Sequence, residues 1–151
     1  MKHITFLLLL FSVLMFTGCG SGNVPLGGTV TFSDDGTPLE CGTIAFTNGT
    51  MQARGDIGPG GKYNLGTLKP NDGLPLGNYK VYITGAETRT DGTTVGEGEN
   101  KSTLNVVIQL IDSKYRSIEK TPLTAKVDAS TKVLDFTVDR AKGNDAKPQE
   151  R

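Results

Sequence analysis

Seven short stretches of the chain alternate apolar with polar residues, or nearly so, and turn-forming residues separate them. Alternation with a period of two turns one face of a strand toward a core and the other toward water. The first stretch sets Val30 and Phe32 inward against Thr29, Thr31 and Ser33. The second sets Ile44 and Phe46 inward against Thr43 and Thr47, and Asp34-Asp35-Gly36-Thr37-Pro38 between them predicts a tight turn. A short third strand carries Tyr63 and Leu65. The fourth places Tyr79, Val81 and Ile83 opposite Lys80, Tyr82 and Thr84. In the fifth, Leu104, Val106, Ile108 and Leu110 form the inward set, with Val107 and Ile111 on the other face of a more buried strand. The last two stretches, with Leu123, Ala125, Val127 and then Leu134, Phe136, Val138, predict a hairpin across Ala129-Ser130-Thr131. Beyond residue 18 no stretch sustains helical periodicity. The expected fold is an all-β, seven-stranded sandwich, because two sheets can bury such faces against each other.

Residues 1–18 follow a different pattern. Lys2 and His3 precede a mainly apolar run from Ile4 to Phe16, closed by Thr17 and Gly18. A basic start, a short apolar stretch and small residues before a cleavage point are the parts of an export signal. The run falls short of the roughly 20 residues that cross a bilayer, so a removable signal is expected in preference to a membrane span. Met15-Phe16-Thr17-Gly18-Cys19 resembles the lipobox of bacterial lipoproteins, with Phe16 where Leu is preferred. That resemblance implies a mature chain that begins at Cys19 and carries lipid there. Each buried methylene contributes about 0.8 kcal/mol, so several acyl chains on one residue hold a protein to a membrane. Residues 19–23 would be a lipidated tether. Gly20 in place of Asp favours, by the same resemblance, the outer membrane of the bacterial cell envelope.

Charge narrows the partners. Lys plus Arg and Asp plus Glu number 16 each, and removing residues 1–18 takes away only Lys2. A near-neutral domain lacks the basic excess that nucleic-acid binding requires. The single histidine is His3, inside the expected signal, so the mature chain holds no imidazole for Ser-His-Asp or Cys-His catalysis or for a histidine metal site. With Cys19 committed to lipid, Cys41 has no intramolecular disulfide partner. Its neighbour Glu40 disfavours a thiolate, so a structural cysteine is expected.

Gly28-Thr29-Val30-Thr31-Phe32, Gly36-Thr37-Pro38-Leu39 and Gly42-Thr43-Ile44-Ala45-Phe46 resemble the opening of carboxypeptidase regulatory-like domains, which are transthyretin-like sandwiches. Gly61-Lys62-Tyr63-Asn64-Leu65, Leu76-Gly77-Asn78-Tyr79-Lys80-Val81 and the segments at 123–127 and 134–138 continue the likeness. The resemblance spans residues 24–140 and is of the type found in small planctomycete lipoproteins. It implies a fold; it does not imply an activity.

Three features invite a chemical reading. The aspartates of the turns (Asp34, Asp35, Asp56, Asp72 and Asp91) lack the ligand spacing of a calcium loop and are expected to be solvated turn residues. The segment 85–102, rich in Gly, Thr and Glu, is expected to be a long mobile loop, and the first place to look for a ligand. Tyr115-Arg116-Ser117 resembles part of a motif of transthyretin-like hydrolases, but the histidines and glycine are missing, so Tyr115 is expected to pack on the sandwich. Residues 141–151, polar and charged, are expected to be a disordered tail. No catalytic, cofactor or metal residue is assigned. The expected function is a non-catalytic, membrane-anchored envelope lipoprotein, its sandwich a structural module or one that contacts protein or polysaccharide. The alternative is a sugar- or peptide-binding module using the 85–102 loop. An enzyme working with two carboxylates is the least favoured reading, since the acidic residues are scattered.

Overall fold

The computed structural model describes residues 22–95 and 102–150, with side chains over 22–89 and 106–149. The described chain is all-β apart from two 3-10 turns at Pro59–Gly61 and Ser113–Tyr115. Its strands are β1 (Asn23–Val24), β2 (Gly27–Phe32), β3 (Thr43–Thr47), β4 (Gln52–Asp56), β5 (Lys62–Asn64) and β6 (Leu74–Pro75). They continue with β7 (Gly77–Thr84), β8 (Glu87–Val95), β9 (Ser102–Gln109), β10 (Thr124–Val127), β11 (Phe136–Val138) and β12 (Gln149–Glu150).

A four-stranded sheet, β10-β7-β3-β4, faces a three-stranded one, β11-β2-β5. The alternation read from the sequence explains the core between them. Val30 and Phe32 of β2, Ile44 and Phe46 of β3, Tyr63 of β5, and Tyr79, Val81 and Ile83 of β7 are all buried. Phe46 stands at the centre, its ring 5.8 Å from Phe136 and 6.2 Å from Tyr63 on the opposite sheet. Removing such a side chain costs about 3–5 kcal/mol through lost burial and an unfilled cavity. Tyr63 keeps its hydroxyl satisfied by donating to the Leu134 carbonyl at 2.5 Å.

Several expectations are corrected. Twelve strands are described where seven were expected. β4 went unrecognised because its inward residues are Ala53 and Gly55, too small to give a hydrophobic signal. The final two stretches do not form a hairpin. β10 pairs antiparallel with β7, Val127 opposite Gly77, while β11 pairs parallel with β2, Phe136 opposite Val30. The turn between them therefore carries the chain from one sheet to the other. In β9 Val107 and Gln109 are buried and Val106 and Ile108 half-buried, the reverse of the expected set, while just beyond the strand Ile111 lies in the core and Leu110 packs against it. Leu104 lies where side chains are not described.

The 85–102 segment is not a simple loop. Glu87–Val95 is β8, paired antiparallel with β9 from Glu87↔Gln109 to Val95↔Ser102; residues 96–101 lie outside the described residues. The 141–150 segment lies against the sheets. Ala141 donates to the Leu110 carbonyl at 2.9 Å, Asp145 pairs with Arg116 at 2.8 Å, and β12 adds to the edge of β9. Asn23, assigned to the tether, belongs to β1 and pairs with Pro75 of β6.

Candidate functional site

The outward face of the four-stranded sheet carries a concavity. Thr47, Lys80 and Thr124 lie in register across β3, β7 and β10, and Asn78 lies opposite Lys126. Period-two geometry sends these side chains away from the core that Tyr79, Val81 and Ala125 fill. The Asn48–Gly49 turn and the Ile118–Glu119 segment rise on the two sides, giving a groove of about 680 Å³. Lys80 Nζ donates to the Ile118 carbonyl at 3.3 Å, and Thr121 Oγ1 donates to the Val81 carbonyl at 2.5 Å. These two bonds hold the Ile118 wall against β7.

The groove is lined by two lysines, two asparagines, three hydroxyl residues and the Ile118 side chain. Thr47, Tyr79 and Lys80 already donate to backbone carbonyls, and Thr124 and Lys126 complete its polar set. That mixture suits a ligand rich in hydroxyls or carbonyls, such as a peptide or glycan chain. Among its lining residues Glu119 is the one carboxylate, so the paired carboxylates of glycoside hydrolysis are not assembled there. On the same face Gln52 donates to the hydroxyl of Tyr82 and accepts from Arg54 Nε at 2.8 Å.

The residues singled out in the sequence are placed as follows. Asp34 and Asp35 are bound by Arg140 at 2.9 and 2.8 Å, and Arg140 stacks 3.7 Å over the Phe32 ring. Asp35 also accepts from the hydroxyl and backbone N–H of Thr37, which lower its pKa to about 2. Asp139 accepts from Lys114 Nζ at 2.6 Å, Ser33 Oγ at 2.5 Å and the Tyr115 hydroxyl at 3.1 Å. The Lys114 bond is the main cause that holds this carboxyl far below its usual range and raises the lysine in turn. Both partners are therefore held as ions, which makes the pair an electrostatic latch between β11 and the 3-10 turn.

Tyr115 is buried, as expected. Cys41 is a free, half-buried thiol whose Sγ lies 3.8 Å from the Glu87 carbonyl. Asp56 accepts from Thr43 Oγ1 at 3.0 Å, Asp72 is engaged by its own loop, and Asp91 lies in β8 where side chains are not described. Cys19 lies outside the described residues. No group of three or more His, Cys, Asp or Glu that could hold a metal occurs among the described residues. None of their helices is long and apolar enough to cross a membrane.

The groove residues Asn78, Thr124 and Lys126 were missed in the sequence. Their only signal is outward position on β7 and β10, which most solvated positions share.

No protein-family model matches the chain, and no curated protein matches it. Among solved structures it is similar to the crystal structure of the major pilin subunit of Bacillus cereus, at 13% identity and a TM-score of 0.44. The match covers 80% of this chain and 30% of that one.

Proposed function

We propose that the protein is a lipid-anchored lipoprotein of the bacterial cell envelope, its sandwich a non-catalytic module that contacts protein or polysaccharide through the groove on the four-stranded sheet. The observation that carries the reading is the place of Cys19, where an apolar run ends on Thr17 and Gly18 and the first strand follows four residues later. Four strands packed on three support the likeness to carboxypeptidase regulatory-like domains. The side-chain chemistry of the groove favours binding over turnover, because neither a paired carboxylate nor an activated nucleophile lines it.

Two measurements test this. Cells expressing the chain are fed alkyne-palmitate: label should enter the wild type and be lost in Cys19→Ser. Crosslinking in intact envelopes should then yield a reproducible protein or glycan adduct that Lys80→Glu/Lys126→Glu abolishes. An unlabelled wild type, or adducts indifferent to the groove, would refute the corresponding half.

A further inference from the structure

The strand connections bring one set of loops to the end of the sandwich where the chain enters. β1 pairs with β6, so Asn23 and Val24 lie beside Pro75 and Leu74. Asn23 Nδ2 donates to Thr67 Oγ1 at 3.1 Å, which ties the entering chain to the loop 65–73. That loop is itself fastened to the start of β2, since Leu65 N–H donates to the Leu26 carbonyl at 2.8 Å. Val133 bridges Gly27 in parallel, and Lys132 shares a depression of about 190 Å³ with Asn71, Pro25 and Leu26. Leu76 follows β6 directly.

The three exposed large apolar side chains among the described residues all belong to this end. They are Leu68, 94% exposed, Val133, 64%, and Leu76, 55%. The charges at this end are mixed, two lysines beside two aspartates, but the two kinds are engaged differently. Asp72 is turned into its own loop and accepts from the N–H groups of Thr67, Leu68 and Lys69. Asp128 likewise accepts from Ser130 N–H and from the hydroxyls of Ser130 and Thr131. Both carboxylates close turns and stay charged, so in number they offset the two lysines beside them. Lys69 and Lys132 are exposed, and neither makes an ion pair among the described residues.

We infer that this end is a membrane-contact surface: Leu68, Val133 and Leu76 enter the headgroup region while Lys69 and Lys132 meet anionic lipid phosphates. The inference rests on the lipid anchor proposed above. Cys19 is four residues from Asn23, and an extended chain covers at most about 3.6 Å per residue, so the acyl chains hold this end within roughly 14 Å of the interface. Exposed leucine and valine at that distance gain by leaving water, and each lysine near an anionic leaflet adds roughly fivefold to partitioning. The anchor would then fix the orientation of the sandwich as well as its attachment.

The chain contains no tryptophan, so Leu68→Trp introduces a single reporter; Lys142→Trp, beyond β11 at the opposite end, is the control. Each full-length protein is purified from membranes, its acylation checked by intact mass, and reconstituted into phosphatidylcholine–phosphatidylglycerol vesicles with and without dibrominated lipid. Emission from position 68 should shift to the blue and be quenched by bromine, with position 142 unaffected. Lys69→Glu/Lys132→Glu should weaken that quenching, most at low salt. Acylated protein with position 68 unquenched would overturn the inference and leave the anchor standing. A blue shift without quenching would mean a protein contact and overturn it too. A mass without acyl groups would remove both.

Discussion

Where β2 runs into the Asp34–Thr37 turn, carboxylates are neutralised by cations brought from far along the chain. Arg140 reaches Asp34 across 106 residues of sequence, and Lys114 reaches Asp139 across 25. Where β1 enters, at the other end, Asp72 and Asp128 accept from the turns they belong to, and Lys69 and Lys132 beside them make no ion pair among the described residues. Both ends use aspartate to close loops, yet one pairs its carboxylates with cations from distant segments, while at the other the lysines make no ion pair among the described residues and apolar side chains face outward. The contrast separates what stabilises the sandwich from what is available to a partner.

The largest effect should come from a pair of glycines. Gly73 and Gly36 both have positive φ, +75° and +70°. A Cβ at Gly73 would lie 2.0 Å from the Val24 carbonyl, whereas at Gly36 it would meet open space. Gly73→Ala should therefore cost about 3 kcal/mol and release β1 from β6. Gly36→Ala should cost about 1 kcal/mol. Urea unfolding with hydrogen exchange on β1 and β6 measures both; equal costs would mean that backbone conformation alone, without the contact, sets them.

Next in size, Arg140→Gln should lower the unfolding midpoint and raise exchange in the Asp34–Thr37 turn and the start of the 141–150 segment. The turn at 128–131 should be untouched. Because the groups are exposed the loss should shrink in high salt.

Acid should affect both ends, with different salt dependence. Asp35 is lowered to about 2, and Asp139, Asp72 and Asp128 are lowered as well. Unfolded aspartate titrates near 3.9 (an approximate reference). The charged forms are thus favoured by folding, so their stabilisation is complete above about pH 4 and is lost as pH falls toward about 2. Salt should reduce the part owed to Asp139, whose main partner is Lys114, and spare the part owed to Asp72, whose partners are N–H and hydroxyl groups. Asp139→Asn should therefore reduce the salt sensitivity of acid unfolding, leaving the part owed to the Arg140 pairs, and Asp72→Asn should not change it. The smallest effect belongs to Leu68→Ser, which should shift stability by no more than about 0.5 kcal/mol, since that side chain packs on nothing.

Legibility followed side-chain size and strand length. β2 and β7 alternate large apolar with polar residues, and their buried sets match the reading; in β3 Ile44 and Phe46 are buried as read, but Ala45 and Thr47 on the other face are buried as well. β9 has apolar residues on both faces, so periodicity could not choose between them, and packing beneath Val107 and Ile111 did. β8, Glu87-Thr88-Arg89-Thr90-Asp91-Gly92-Thr93-Thr94-Val95, has no apolar alternation because its partner is β9 and not the core. β1, β6 and β12 are two residues each, below any period. The groove was illegible because it joins β3, β7, β10 and the Ile118 segment, and no local pattern records that adjacency.

By itself the sequence determined that the domain is all-β, which faces of β2, β7 and β10 are buried, and that Cys19 is the position to test for lipid. Those follow from local chemistry: alternation, turn residues and a short apolar run. Tertiary structure decided that β10 and β11 part company into different sheets, that the 87–95 and 149–150 segments pair with β9, and that Leu68, Leu76 and Val133 share the end where the chain enters. Each depends on which strand edges are left open once the core has closed, and that is a property of the assembled sheets.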